Sequence, residues 1–345
     1  MQPVKAQIVS AAISNIFQQV KVPEVHAGII GNALTFADLR GVSTHGVRCV
    51  PNYTRRFYHG SLNPTAQIQV LKETETTALV DGDNGLGHLV GVRCMEMAIA
   101  KAKQHGVGIV CSKNSNHFGV TSYFSMMAQE QGLIGAACSN ASAQLAPTGG
   151  KTAKYGNNPW AFAFPCRKGE IPLVVDMANS VVANSHIIIA KEKGEKIPLG
   201  WALDEDGTPT DDPNRVGTLL PFGGYKGYAL SMVVEALAGA LSGAGMGDGV
   251  GLYNSMTDGQ NVGHFFMAID ITAFMETGTF SERLSDFLND VKSSEPAEGS
   301  TQVLIPGERE YVTYLQRMKE GIPIEDTVLK DLIKLGEDLK INISL

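Results

Sequence analysis

The fold class depends on whether the chain carries a Rossmann nucleotide-binding loop. The stretch that decides this is Gly85-Leu86-Gly87-His88-Leu89-Val90-Gly91. The stretch follows a strand-like run at 77–81 and opens a helical pattern at 88–103, which is where a phosphate-binding glycine loop belongs. A Rossmann fingerprint reads G-x-G-x-x-G and has an acidic residue ending a second strand about 20 residues later. Here the spacing is G-x-G-x-x-x-G, and the second strand-like run ends at Cys111-Ser112-Lys113. The sequence therefore argues against a Rossmann domain.

Extended and helical patterns alternate along the rest of the chain, which predicts an α/β protein. Strand-like runs are found at 68–70, 77–81, 108–111, 133–138, 160–165 and 173–176. Helical periodicity is found at 88–103, 123–131, 181–193 and 226–242, and two more helices are expected to begin near 310 and 325. The segment 292–300, rich in Ser, Glu, Pro and Gly, predicts an exposed linker.

Composition excludes several classes of protein. The 345 residues carry a formal net charge of -7, which argues against a nucleic-acid-binding surface, and no apolar run reaches the roughly 18 residues that span a bilayer. The five cysteines are widely spaced without a C-x-x-C pair, and the eight histidines show no metal-binding spacing. We therefore expect a cytoplasmic protein without disulfides, a metal site or a membrane span.

Two histidines lie where catalytic groups concentrate. The stretch Val42-Ser43-Thr44-His45-Gly46-Val47-Arg48 follows a predicted helix, and Ser115-Asn116-His117-Phe118-Gly119 follows the strand-like run that ends at Cys111. An imidazole with a pKa near 6.5 exchanges protons at neutral pH, and the Arg48 guanidinium suits a carboxylate. Alternatively, both histidines bond to loop and helix-end backbone groups, and Arg48 lies on the surface.

A glycine-rich stretch, Gly223-Gly224-Tyr225-Lys226-Gly227-Tyr228, opens the long apolar helix. Backbone N–H groups and the Lys226 ammonium can converge there on a pyrophosphate. The alternative is a loop that merely lets the helix begin tightly. Because a lysine at a helix start opposes the macrodipole unless an anion is near, the pattern favours a phosphate site.

Taken together, these stretches resemble the type 2 malate/L-lactate dehydrogenase family, which also contains ureidoglycolate dehydrogenase, sulfolactate dehydrogenase, diketogulonate reductase and cyclic-imine reductase. The resemblance runs nearly from end to end. Its motifs, in chain order, are Thr44-His45-Gly46-Val47, Asn116-His117-Phe118-Gly119, Tyr155-Gly156-Asn157-Asn158-Pro159, Asp176-Met177-Ala178, Gly194-Glu195-Lys196-Ile197-Pro198 with Gly200-Trp201-Ala202, Lys226-Gly227-Tyr228, Gly263-His264-Phe265-Phe266 and Pro306-Gly307-Glu308.

This resemblance implies a non-Rossmann malate/L-lactate dehydrogenase-like α/β fold and a homodimer. A nicotinamide-binding lobe around a largely antiparallel sheet would comprise residues 66–120 and 222–308. A helical terminal lobe would comprise 1–65 and 309–345, and 121–221 would form an inserted small lobe.

The same resemblance implies the site residues. His45 and His117 match two histidines that different members use as proton donor or acceptor, and both alternatives stay open. Arg48, with Arg55 or Arg56 as further candidates, would hold the substrate carboxylate, although the family usually has its arginine at the position of Cys49. The residues implied for the cofactor are Asn140, Asp176, Met177, Ala178, Lys226, Gly227, Pro306, Gly307 and Glu308.

The implied activity is hydride transfer between a nicotinamide and a small 2-hydroxy or 2-oxo acid, with malate/oxaloacetate first. Lactate, ureidoglycolate, sulfolactate and a cyclic imine are the alternatives within the family, and a non-catalytic nucleotide-binding protein is the alternative outside it. The family usually carries Ala-Arg-Gly-Lys where this chain has Ala183-Asn184-Ser185-His186. The loss of two cations favours NAD, with NADP as the other possibility.

Overall fold

A computed structural model of the chain describes residues 3–343. Its centre is a sheet of seven strands in the order β1-β2-β3-β9-β4-β5-β6. The strands of this sheet are β1 (Gln69–Glu73), β2 (Thr77–Asp81), β3 (Val107–Ser115), β4 (Ile134–Ser139), β5 (Trp160–Phe164), β6 (Leu173–Met177) and β9 (Val262–Ile269). A separate two-stranded sheet is formed by β7 (Ala202–Leu203) and β8 (Thr218–Leu219).

The large sheet is mixed. Only β2 and β3 pair in parallel, and the other five neighbouring pairs are antiparallel. Strand β9 lies in the middle, between β3 and β4, and buries Phe266 and Ala268 in the core. The predicted α/β class is confirmed: this is a mixed sheet flanked by helices.

Helices from both ends of the described chain pack together beside the sheet. These are α1 (Ala6–Gln19), α2 (Glu24–Leu39), α3 (Val50–His59), α9 (Glu308–Glu320) and α10 (Asp326–Leu339). Apolar residues recur at helical spacing on α1 and α10, so each helix presents one apolar stripe to a shared core. Phe17 of α1, Ile30 of α2, Tyr53 of α3 and Leu335 of α10 meet there with almost no exposure.

The remaining helices flank the sheets. They are α4 (Gly87–His105), α5 (Thr121–Gln129), α6 (Asn184–Lys193), α7 (Tyr225–Val234), which continues as a π-helix over Glu235–Ala240, and α8 (Thr277–Lys292). Helices α4 and α5 cover the sheet through Met95, Ala98 and Phe124. In the part of the chain described here, no helix combines the length and apolar character needed to cross a membrane.

The glycine stretch 85–91 opens α4, as the sequence predicts, and its second glycine brings that helix against a loop. A Cβ on Gly87 would lie 2.1 Å from the carbonyl oxygen of Asn116 and would also crowd Phe118. Such an overlap cannot be relieved because the atom it meets is backbone. Gly87 therefore lets the start of α4 support the loop that carries His117.

The strand pairing does not follow the predicted boundaries of the inserted small lobe. Strands β4, β5 and β6 fall in the range 121–221, yet they pair with one another and with β9 in the seven-stranded sheet. A small unit with its own core is narrower, and its buried residues are Leu145, Tyr155, Val182, Ile187, Ala190, Ile197, Ala202 and Leu219. The division into lobes stays a proposal, in which strands β4, β5 and β6 belong to the central sheet and not to the small unit.

Candidate active site

A cavity of about 660 Å³ opens where the end of α2, the loop after β3, the edge of strand β6 and the loop before α9 meet. This volume lies within the range of small-molecule sites. Of the residues that the sequence singles out, those lining it are His45, His117, Asn140, Asp176, Met177, Ala178, Pro306 and Gly307. Arg48, Lys226, Gly227 and Glu308 do not line it.

The two histidines stand face to face in the cavity wall. The rings of His45 and His117 stack with their centroids 5.4 Å apart and their planes 28° from parallel. Nδ1 of His45 lies 2.9 Å from the Thr44 hydroxyl, and Nδ1 of His117 lies 2.5 Å from the Tyr53 hydroxyl. When Nδ1 carries the proton and donates it to Tyr53, Nε2 of His117 keeps a free lone pair that can accept a proton.

Both imidazoles are uncharged at neutral pH. Burial lowers the pKa of His45 to about 4. Burial also lowers the pKa of His117 well below its usual range, and the neighbouring histidines and Arg56 lower it further. Charging a group in a low-dielectric interior costs free energy, and a nearby cation adds to that cost. Each ring is therefore present as the free base.

Asp38 anchors the loop that carries His45 through a hydrogen bond to its backbone. Asp38 Oδ2 accepts the backbone N–H of Val47 at 2.8 Å, and a Cβ on Gly46 would lie 2.2 Å from that carboxyl group. Only glycine permits this close approach. Burial raises the pKa of Asp38 to about 7, although the hydrogen bond from Val47 and the charge of Arg317 oppose the rise.

The structure does not place Arg48 in the cavity. Its guanidinium pairs with Glu325 at 2.8 Å, with about a third of the Arg48 side chain exposed. Arg40, five residues before His45, lines the cavity instead, at only 4% exposure and without an ion pair to any residue in 3–343. Arg309 lies at the rim, exposed to solvent. Sequence reasoning missed Arg40 because an arginine at a helix C-terminus already has an ordinary explanation in the helix dipole.

The two further arginine candidates, Arg55 and Arg56, bind partners outside the cavity. Arg55 Nη2 lies 3.3 Å from Asp338 on α10. Arg56 is fully buried, and its guanidinium is bonded to loop carbonyls and side-chain amides. Neither lines the cavity.

Asp176 lies on strand β6, which forms one edge of the seven-stranded sheet. Its carboxylate faces the cavity and accepts the backbone N–H of Ser122 at 2.8 Å. Burial raises the pKa of Asp176, while the hydrogen bonds from Ser122 and the charge of Arg40 oppose this rise. A carboxylate held in this way can accept hydrogen bonds from hydroxyl groups of a ligand.

The outer edge of β6 is only partly paired. The N–H of Val174 donates to the carbonyl oxygen of Pro306 at 3.3 Å. Because backbone groups of an edge strand point outward at every second residue, those of Asp176 point to the same side, where the cavity lies. Backbone donors and acceptors that have no partner within residues 3–343 suit a planar carboxamide.

Glu308 fixes the loop before α9 and does not contact the cavity. Its carboxylate accepts the N–H of Ile305 at 3.1 Å and pairs with Lys292 at 2.5 Å. Although burial raises the pKa of Glu308, these two partners hold it below the usual range. Glu308 thus shapes the segment from which Pro306 and Gly307 line the cavity.

The other two cofactor candidates, Lys226 and Gly227, lie beside the cavity at the start of α7. The N–H of Phe222 donates to Asn179 at 2.9 Å, which ties this helix start to the segment that follows Ala178. Lys226 is exposed and makes no ion pair within residues 3–343, whereas Gly227 is buried against Phe222. The positive end of α7 therefore lies near the 176–178 wall.

Asn140 lines the cavity with its side chain already engaged. Asn140 Nδ2 donates to Gly245 O at 2.7 Å, and Oδ1 accepts the N–H of Gly263 at 2.9 Å. The amide fixes the wall of the cavity in place.

Among the described residues there is no group of three or more His, Cys, Asp or Glu side chains arranged to hold a metal ion.

Comparison with known proteins agrees on one family. The family described as malate/L-lactate dehydrogenase matches residues 4–333. The malate dehydrogenase of Pyrococcus horikoshii is 40% identical over 335 residues, which cover 94% of this chain and 92% of that protein. The ureidoglycolate dehydrogenase (NAD(+)) of Escherichia coli O157:H7 is 34% identical over 93% of this chain and 92% of its own. The solved sulfolactate dehydrogenase of Methanocaldococcus jannaschii superimposes with a TM-score of 0.92, at 38% identity, over 99% of this chain and 98% of that one.

Proposed function

This chain belongs to the malate/L-lactate dehydrogenase family, and on that premise we propose that it transfers a hydride between a nicotinamide cofactor and a small 2-hydroxy or 2-oxo acid, with malate and oxaloacetate as the first pair. Family membership makes the chain an enzyme of the 2-hydroxy acid dehydrogenase type. It argues against the alternative of a non-catalytic nucleotide-binding protein. The observation that carries the proposal is the stacked, uncharged pair of His45 and His117 in the cavity wall.

The cavity and the helix start beside it fit a nicotinamide nucleotide in three respects. The edge of β6 offers backbone groups for the carboxamide, and the Asp176 carboxylate can accept bonds from ribose hydroxyls. The start of α7, with Lys226 unpaired among the described residues, offers a positive helix end for phosphates. When bound, the cofactor supplies or accepts the hydride.

Proton transfer is the part that this chain's own residues perform. As the alcohol is oxidised, Nε2 of His117 takes the hydroxyl proton, and in the reverse direction the same atom returns a proton to the ketone oxygen. Tyr53 orients the ring through its 2.5 Å bond to Nδ1. His45, whose ring stacks on that of His117, is the other candidate for the same role.

The substrate carboxylate needs a cation, and we assign it to Arg40 in preference to Arg48. Arg40 lines the cavity and has no ion pair within residues 3–343, whereas Arg48 would have to leave Glu325 and enter the cavity. A buried guanidinium gains most from a bidentate carboxylate partner.

We propose NAD as the cofactor, with NADP as the alternative. Asn184 and His186 lie exposed at the start of α6, directly after Ala183 in the cavity wall, and neither brings a fixed positive charge. A 2′-phosphate would therefore find little compensation on this side. The relative named ureidoglycolate dehydrogenase (NAD(+)) supports the same choice.

We also propose that the chain forms a homodimer through α7. Most exposed side chains from α7 to the residue after the π-helix are apolar, including Tyr225, Leu230, Val233 and Leu241, and the charged Lys226 lies at the start of α7. An exposed, mostly apolar face of this kind indicates a protein interface. The five free cysteines support a reducing compartment and so a cytoplasmic location.

The test is a matrix of two reduced cofactors and several substrates, with absorbance at 340 nm as the readout. NADH oxidation should depend on oxaloacetate first and on pyruvate second, and the His117→Gln variant should lose it. The matched control is His105→Gln, since His105 is an exposed histidine at the end of α4 and does not line the cavity. NADH binding without turnover on any 2-oxo acid would refute the proposal.

A further inference from the structure

Arg56 is a buried cation without a carboxylate partner in residues 3–343. It is fully buried on α3. Its Nε donates to Ser255 O at 3.2 Å, Nη1 donates to Gln260 Oε1 at 3.2 Å, and Nη2 donates to Asn116 Oδ1 at 2.9 Å. Ser61 Oγ and the carbonyl oxygen of Asp258 also accept from this guanidinium, at 3.3 and 3.4 Å. All five acceptors are neutral, so within residues 3–343 the positive charge is hydrogen-bonded but not balanced by an anion.

Two of these acceptors, Gln260 and Asn116, connect Arg56 to the backbone of His117. Gln260 Oε1 also accepts the N–H of His117 at 2.9 Å, and Asn116 Oδ1 accepts the N–H of Gln260 at 3.0 Å. Asn116 Nδ2 donates to Gly85 O at 3.0 Å, which ties the same loop to the chain just before α4. Arg56 is thus the common donor that joins the loop 115–119 to the segment 255–260.

One helix reaches His117 from two sides. Tyr53, one turn before Arg56 on α3, bonds to the imidazole Nδ1, while Arg56 acts on the backbone through Gln260. Tyr253, in the segment leading to 255–260, packs edge-on against the His117 ring with the centroids 5.0 Å apart. The ring and its backbone are therefore positioned from a single rigid element.

A structural role alone does not explain a charge at this position. Removing an ion from water costs several kcal/mol, roughly, and a neutral or apolar side chain of similar volume is often at least as stable in such a place. A retained positive charge does have an electrostatic consequence, since it opposes a second positive charge nearby. Besides Arg56, the titratable groups that face His117 are His45, His88, His264, Tyr53 and Tyr253.

We propose that Arg56 is a positioning residue for His117 that fixes its backbone through Gln260 and Asn116 and whose positive charge, unbalanced within residues 3–343, adds to burial in opposing a second charge on the imidazole. This inference rests on the proposed function in one respect, namely that His117 transfers the proton. The electrostatic part can be tested without any turnover.

The decisive variant is Gln260→Glu, which preserves the side-chain shape and places a carboxylate opposite Arg56. We expect the titration midpoint of His117 to rise by about one pH unit or more. The Gln260 oxygen lies 2.9 Å from the His117 backbone nitrogen and 3.2 Å from Arg56 Nη1, so a carboxylate there favours the charged ring and also balances Arg56. Histidine NMR titration measures this, with the signal assigned by its loss in His117→Gln. The acid limb of the kcat/KM profile should move in the same direction.

Two further variants separate charge from geometry. Gln104→Glu adds the same charge on the exposed face of α4 and should leave the His117 titration unchanged. Arg56→Lys keeps the charge but loses the planar fork, so the titration should stay low while kcat falls about tenfold or more. A folded Gln260→Glu enzyme with an unmoved His117 titration would overturn the inference. Absence of turnover with a shifted titration would contradict the proposed function alone.

Discussion

Replacing His117 with glutamine should lower kcat by about a hundredfold or more and leave NADH affinity within about twofold. Glutamine has a similar length, and the loop stays in place because its anchor is the His117 backbone N–H, which donates to Gln260 at 2.9 Å. What is lost is a ring present wholly as the free base at neutral pH, because burial holds its pKa well below the usual range. General acid–base catalysis is worth about 10² to 10⁴ in rate, so the smaller figure corresponds to about 2.7 kcal/mol of transition-state stabilisation.

The Tyr53→Phe variant separates orientation of the ring from proton transfer. It removes the 2.5 Å contact to Nδ1 and keeps the imidazole, so the loss should be about tenfold, the worth of one hydrogen bond. The assay is steady-state NADH oxidation with oxaloacetate, with NADH affinity measured by fluorescence titration. If His117→Gln turns over near the wild-type rate and His45→Gln loses a hundredfold, the proton-transfer role belongs to His45. Near wild-type turnover in both variants would refute the reasoning.

Arg40→Leu should raise the KM for the 2-oxo acid by about 10 to 100 times, whereas Arg48→Leu should change it less than threefold, because Arg48 loses only an exposed ion pair; the reverse order would return the carboxylate to Arg48. Lys226→Ala should weaken NADH binding by about 1.5 to 3 kcal/mol at little cost to kcat, and an unchanged Kd would exclude a phosphate contact. Asp38 has a folded pKa of about 7, above its ordinary 3.8, so its contribution to stability is present below the lower value and lost as the pH rises towards 7. Asp38→Asn should therefore remove a slope of about 1.4 kcal/mol per pH unit from the free energy of unfolding in that window, as measured by urea titration. Val233→Glu should shift the sedimentation coefficient towards a monomer, and a variant that sediments like the wild type would exclude the α7 face as the interface.

Several elements could be predicted within one or two residues because local pattern and burial agree. The run 77–81 is strand β2, and the predicted strands at 133–138 and 173–176 are β4 and β6. Each is a short apolar segment bounded by turn residues. Helix α4 also begins within a residue of its prediction, at the glycine stretch that lets it approach the His117 loop.

Other elements have no comparable signal. Helix α8 buries only Ser281, Ser285 and Leu288, so two of its three inward positions are polar and give little hydrophobic signal in the sequence. Strand β9 lies in the centre of the sheet, and its partly buried residues Phe265, Met267 and Ile269 are as apolar as the buried ones, so the sequence shows no alternation of polar and apolar residues. Its position between β3 and β4 follows from pairings distant in sequence, which a local pattern cannot reveal.

At the site, too, some residues could be predicted from the sequence, whereas their arrangement could not. His45 and His117 could be chosen from their places after a helix and a strand, yet their stacking depends on two loops 72 positions apart in the chain. Arg48 and Arg40 flank His45 at similar sequence distances, and only the path of the short 3-10 helices between α2 and α3 decides which one reaches the cavity. Distinguishing them needs the three-dimensional structure.

The central claim is hydride transfer to a 2-oxo acid with the proton carried by the histidine pair. The most direct measurement is NADH oxidation at 340 nm by the purified enzyme with oxaloacetate, run beside a cyclic imine and beside the His117→Gln variant. We predict saturable, oxaloacetate-dependent oxidation that the variant lacks. Oxidation of NADH with the cyclic imine alone, or an equal rate in the variant, would contradict the account.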